Sequence, residues 1–191
     1  MRYKEGTWNL TELTNNKPIP TLLKELETKL KKVESYKPKF KPTISTKVFN
    51  DLITALESYE NLFSKIAQYA SLKFCENTSN KQSIALENKI TQLSANHSNR
   101  LLWFHLNFVK FPKKKTDALI KSCPKANYSL KLMLLNKKYL LKDNEEKLIN
   151  IKDSNGLSKL HNIYEILSNS FTYDWNGKKI TTEELRKYVK D

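Results

Sequence analysis

At 191 residues, the chain is long enough for one sizeable core, and 39% apolar with 28% charged residues excludes a disordered chain. The formal net charge is +14, which raises nucleic acid or an anionic membrane surface as partners. No run of about 18 apolar residues occurs and the opening Met1–Trp8 is polar, so the expectation is a cytoplasmic protein with no leader and no membrane partner.

Only three glycines and six prolines punctuate the chain, so its segments are long, and long segments favour helices. Residues 1–19 are expected as an extended arm anchored by Trp8, Leu10, Leu13 and Ile19. Pro20 suits a first helical turn, and Leu22, Leu23, Leu26 and Leu30 recur at helical spacing to about Val33. Lys37–Pro42 then reads as a solvated, lysine-rich linker between two prolines. The strongest periodic segment starts at Ser45 or Thr46, with Phe49, Leu52, Leu56, Tyr59, Phe63 and Ile66 on one stripe, and continues to Phe74. Glu76–Asn80 stops it. A second long helix follows, in which Leu86, Ile90, Leu93, His97, Leu101 and Phe104 are spaced like a heptad seam. Two such helices joined by a short polar loop should form an antiparallel hairpin.

Phe111-Pro112 and the run Lys113–Lys115 are expected to close this region. Shorter helices are predicted near Thr116–Lys121, over Asn127–Leu140 and over Asp143–Lys152, the last opened by a capping box of Asp143 and Glu146. Gly156 marks a break, after which Leu157, Leu160, Tyr164 and Leu167 carry another helix. Phe171–Trp175 alternates, Asn176-Gly177 is a favoured hairpin dipeptide, and Lys178–Thr181 can return as a second strand. Thr181 and Glu184 form a second capping box before Leu185, Tyr188 and Val189. The expected fold is therefore all-α, a long antiparallel helical hairpin packed with several shorter helices and one small β-hairpin near the C-terminus. Its expected organisation is a single helical lobe over 1–191, divided into the arm 1–19, a long-helix region 20–112, and shorter helices with the hairpin over 113–191.

A zinc peptidase helix needs two histidines four apart with a glutamate between them. His97 is followed at that spacing by Leu101 and His105 by Val109, while His161 has Glu165. A two-ligand pair is insufficient for a metal, so His161 and Glu165 read as a surface polar pair. His97, on the apolar seam, reads as a buried core histidine, or more sharply as a pH-sensitive contact, and His105 reads as structural. Cys75 and Cys123 form no Cys-x-x-Cys pair and read as small buried hydrophobes in a reducing compartment. Three isolated glycines cannot build a phosphate-cradling loop. The doublets Glu145-Glu146 and Glu183-Glu184 follow capping residues, where they meet the helix dipole rather than a substrate. No catalytic and no metal-binding residue is assigned.

Thirty-one of the thirty-four basic residues are lysines, beside nineteen asparagines, which looks like the codon bias of an AT-rich genome. Dedicated nucleic-acid readers favour arginine. The runs Lys113–Lys115 and Lys137-Lys138 thus read as solvated faces, without the alternating aromatics of a stacking platform.

Several segments stand in an order shared with one family. Trp8-Asn-Leu10-Thr-Glu-Leu13, Leu56–Leu62, Tyr69–Leu72, Asn77–Asn80, Leu101–Phe108, Leu141–Ile149, Gly156, Tyr164 and the Gly177 hairpin together resemble the N-terminal region of oligoendopeptidase F, in the M3 zinc metallopeptidases. The resemblance implies an all-helical lobe roofing a catalytic channel, restricting access to short peptides. The family's His-Glu-x-x-His motif is absent from these 191 residues. The resemblance therefore implies a non-catalytic lid lobe, truncated or split from its zinc-binding half and assisting peptide hydrolysis only with a separate catalytic peptidase chain, or else a stand-alone lobe with a new role. Zinc is expected in that half alone. Such a lobe should expose an apolar surface where the rest of the enzyme packs. The alternative expectation is a basic helical nucleic-acid-binding protein.

Overall fold

A computed structural model describes residues 9–188 of the chain. The expected all-α fold is present, with a long helical hairpin, shorter helices and a two-stranded antiparallel sheet near the C-terminus. Helix α1 spans Ile19–Glu34, with Pro20 in its first turn, and buries the face carrying Leu22, Leu26, Leu30 and Val33. Helix α2, Thr46–Glu76, is capped by Ser45, whose hydroxyl accepts from the Val48 amide. Helix α3, Lys81–Phe108, is capped by Asn80, whose side-chain oxygen accepts from the Gln82 and Ser83 amides. These caps satisfy amides that the first helical turn leaves orphaned.

The α2–α3 pair is antiparallel, because residues equally far from the Asn77–Asn80 turn meet. Tyr59 reaches His97, and nearer the open end Phe49 stacks on Phe108 with ring centroids 5.9 Å apart. At that open end lies an aromatic cluster centred on Phe40, which contacts Phe49, Trp103, Phe104 and Phe111 at centroid distances of 5.0–6.4 Å. The segment expected as a solvated linker is therefore part core. Lys37–Lys39 forms a 3-10 turn that keeps its lysines in water and turns Phe40 inward. The arm differs in the same way: Leu10–Thr14 is a 3-10 turn with Leu10 and Thr14 buried, while Trp8 lies outside the described residues.

Beyond the hairpin, α4 spans Lys113–Ser122, so the run Lys113–Lys115 opens a helix rather than closing the preceding region. Three cations there oppose the helix dipole, and Lys115 offsets this by donating to the Ile44 carbonyl. Helix α5 is shorter than expected, Asn127–Leu135, and continues as a 3-10 turn over Asn136–Tyr139. Helix α6 is Asp143–Asn155. Its cap differs from the expected Asp143–Glu146 box. The chain enters at Lys142, whose side chain has no acceptor, so Glu145 takes the Lys142 amide and Glu146 the Leu141 amide, both at 2.9 Å. Asp143, already inside the helix, pairs with Lys147 instead.

Gly156 separates α6 from α7, Leu157–Ser170, and a Cβ there would lie 2.7 Å from the Lys152 carbonyl oxygen. Only glycine fits that close approach. Strands β1, Thr172–Trp175, and β2, Lys178–Thr181, pair in the register Thr172↔Thr181 and Trp175↔Lys178. Asn176 and Gly177 both take positive φ, as a two-residue turn with matching twist requires. The Thr181–Glu184 capping box opens α8, Thr182–Arg186, as expected. Val189 lies outside the described residues.

Because Phe108 is fully buried among Phe49, Phe104 and Phe111, Phe108→Ala should lower the unfolding free energy by about 3–5 kcal/mol. Urea titration followed by tryptophan fluorescence checks this.

Candidate functional site

The densest polar cluster joins α1, α2 and α3. Arg100 on α3 holds two carboxylates of α1 by forked hydrogen bonds, Glu27 at 2.9 and 3.0 Å and Glu34 at 2.8 and 2.6 Å. Glu27 and Glu34 lie on the same face of one helix, seven residues or about two turns apart, which is what lets one guanidinium reach both. Hydrogen bonding to Arg100 holds both carboxyls below the usual glutamate range, against the opposing effect of burial.

His97 sits behind this ion-pair group and is 3% exposed. Its Nδ1 lies 2.9 Å from the Tyr59 hydroxyl, and its Nε2 lies 3.8 Å from Glu27 Oε2. Both ring nitrogens are accommodated when Tyr59 O–H donates to Nδ1 and Nε2–H faces the carboxylate. Burial and the nearby Arg100 push the imidazole below its ordinary pKa, with Glu27 and Glu34 opposing. Burial pushes the Tyr59 phenol up, so it keeps its proton. A tyrosine, a neutral histidine and a carboxylate in sequence resemble a proton relay, but the group is enclosed by three helices and serves to join them.

The other sequence candidates lie apart from it. His105 occupies a cavity of about 440 Å³ between α2, α3 and α6, together with Glu60, Phe63, Glu146 and Asn150. Its Nε2 is buried without a hydrogen-bond partner, and burial lowers its basicity. His161 and Glu165 do meet, at 3.5 Å, on the exposed surface of α7. Cys123 is buried as expected, whereas Cys75 is exposed, because α2 turns it outward one residue after the buried Phe74. Among the described residues, no group of three or more His, Cys, Asp or Glu side chains is placed to hold a metal ion. No described helix is long and apolar enough to cross a membrane.

What sequence reasoning named only in outline is the surface. Every exposed large apolar side chain among the described residues lies between Tyr128 and Tyr188. Two features stand out within it. At the C-terminal end of α3, a groove of about 550 Å³ opens between α4 and α5, walled by Ile120, Leu134 and Leu135 and rimmed by Lys121 and Lys131. Tyr128, Leu132, Tyr139 and Leu141 are exposed in the same segment. From Ala118 to Lys142 the chain carries six lysines and no acidic residue. At the other end of α3, helix α7 turns Lys159, Asn162 and Ile166 toward Phe74, Ile84 and Asn88. Its more apolar side, with Leu157, Leu160, Tyr164 and Leu167, faces away.

Comparisons with family models, with curated proteins and with solved structures find no match to this chain.

The His97 cluster determines how stability responds to acid. A histidine whose basicity is lowered by folding contributes stability above its unfolded pKa, ordinarily 6.5, and this is lost as pH falls through the lower folded value. The contribution of Glu27 and Glu34 is present above 4.5 and is lost only below it. Glu60 and Glu87, whose pKa values burial raises, act in the opposite sense, so a difference between variants isolates the histidine. His105, whose basicity burial also lowers, acts in the same sense as His97, so His97→Gln should reduce rather than abolish the stability loss just below pH 6.5 and leave the loss below pH 4.5, as measured by urea titrations across pH 3.5–8.

Proposed function

We propose that the chain is a non-catalytic, substrate-gating lobe of an M3-type oligoendopeptidase, which contributes to peptide hydrolysis only when docked on a zinc-binding catalytic half. The observation that carries the reading is the confinement of exposed large apolar side chains to Tyr128–Tyr188, in a molecule whose preceding part buries such residues well. An apolar surface of this extent is what a lobe retains where the rest of an enzyme covers it. The ordered resemblance of its segments to the oligoendopeptidase F N-terminal region supplies the identity of that enzyme. In this reading the lobe works in the cytoplasm, and its helices restrict the channel to short peptides rather than touching the scissile bond.

The docking surface is the groove between α4 and α5, since its concave apolar wall of Ile120, Leu134 and Leu135 can receive protruding side chains. Mixed with a separately expressed oligoendopeptidase catalytic half, the chain should form a stable complex and restore cleavage of a quenched fluorescent peptide. Leu135→Asp should weaken both by at least about tenfold. Size-exclusion chromatography and the hydrolysis assay that show neither complex nor cleavage would overturn the reading.

A second reading, nucleic-acid binding, has its own observation. The segment 118–142 carries six lysines together with the exposed rings of Tyr128 and Tyr139, and Lys138 sits 4.8 Å from the Tyr139 ring centroid. Lysines with exposed aromatics suit a single strand, bound without regard to sequence. Labelled single-stranded DNA should then bind at low salt, with log K falling by about 0.7 per phosphate contacted for each decade of salt. Unchanged fluorescence anisotropy at low salt removes this reading.

A further inference from the structure

Helix α7 is inverted in its amphipathicity. Its inward side presents Lys159 and Asn162, with Ile166, to α3, and Lys159 donates to the Asn88 side chain. Its outward side carries Leu157, Leu160, Tyr164 and Leu167, continued by Phe171 just past the helix end. These five are 70%, 65%, 68%, 56% and 50% exposed. Their spacing is three, four, three, four, the repeat that keeps an apolar seam facing a second helix. Nothing among the described residues covers it.

We infer that this seam pairs with the α7 seam of a second copy of the chain, forming a two-fold symmetric dimer. Three observations choose that occupant. First, the positions flanking the seam are His161, Ile163, Ser168 and Ser170, none of them a lysine, arginine, aspartate or glutamate. Partner choice between different helices is ordinarily set by charges at those positions, and like charges there oppose self-pairing. Here no lysine, arginine, aspartate or glutamate stands at those positions to select or repel a partner, in a chain whose net charge is +14. Second, an isologous contact brings the same patch to itself, and a row of leucines with a central tyrosine is self-complementary. Third, the seam with Ile163, itself 60% exposed, offers an area on the order of 700 Å², close to the roughly 800 Å² per partner of a stable interface.

The pairing costs little ordering. A 14-residue helix alone is marginal in water, but α7 is already held by α6, through the Gly156 turn, and by α3. Two such helices pack at the shallow crossing angle of about 20° that heptad spacing favours. The seam lies at the opposite end of α3 from the α4–α5 groove, so the dimer leaves that groove open. The inference draws on a different part of the same exposed apolar surface as the peptidase reading, and each can fail without the other.

Sedimentation equilibrium of the full chain tests it. The expected result is a reversible dimer of twice the 22.4 kDa chain mass. Its dissociation constant should fall several-fold as salt rises from about 50 to 500 mM, because salt screens the repulsion between two strongly basic chains. Nucleic-acid binding would show the reverse dependence. Leu160→Asp and Leu167→Asp should each weaken dimerisation by at least about 50-fold with unchanged helical circular dichroism. Leu160→Gln serves where an aspartate variant does not fold, and Leu135→Asp, in the distant groove, should leave the dimer intact. A monomer at all salt concentrations, or a dimer indifferent to the seam substitutions, would overturn the inference.

Discussion

The structure depends on an aromatic contact between parts of the chain that are distant in sequence. Phe40 enters from the loop after α1 and packs on Phe49 at the start of α2, and on Trp103, Phe104 and Phe111 at and beyond the end of α3. Large rings supply much of the apolar area a small core can bury. Closing this end of the hairpin sets the α2–α3 register and brings α1 alongside. With α1 in place, Glu27 and Glu34 come within reach of Arg100, and His97 is sealed behind them. The polar cluster is thus a consequence of the aromatic one. Its forked ion pairs are partly exposed, which limits their contribution to stability, whereas the buried histidine couples the helices to pH.

The two halves of the molecule are built unequally. Up to α4, apolar stripes and buried faces agree: Leu26, Leu30, Phe49, Leu52, Ile66 and Leu119 are fully enclosed. From α5 onward the apolar residues are as frequent, but the elements are short: α5 packs on α4, α6 on α3, α7 chiefly on α6, and the β-hairpin on α8. Helix α6 meets α3 through Asn150 and Asn99, a polar contact, and α7 meets it through Lys159 and Asn88. Helix α7 also turns Ile166 inward, but Leu148 of α6 and the leucines of α7 are left for another surface. That inequality underlies both the proposed docking groove and the proposed seam.

Much of the helical architecture was legible from periodicity. The stripes of α1, α2 and α3, the Ser45 cap, the Gly156 break and the Asn176-Gly177 turn each follow from local geometry. The failures were local readings overridden by distant partners. Phe40, surrounded by lysines and prolines, gave no periodic signal, and its burial depends on rings some sixty residues away. Lys113–Lys115 looked like a terminator, yet α4 begins there because Lys115 finds the Ile44 carbonyl. Asp143 looked like a cap, but the helix starts around it and the next two glutamates take the orphan amides. Cys75 was expected inside and lies outside, because a lone cysteine carries no information about which helix face it occupies.

By itself the sequence determined the fold class, the long antiparallel hairpin and the absence of a His-Glu-x-x-His motif in these residues, since each depends on spacing within a segment. It also contained the three-four spacing of Leu157, Leu160, Tyr164 and Leu167, which served equally well for a buried helix. Only the tertiary structure decided that this stripe faces away from the core and that His97 is shared between Tyr59 and Glu27. The physical reason is common to both. Periodicity states that a helix has an apolar face, whereas which neighbour covers that face depends on contacts between segments far apart in the chain.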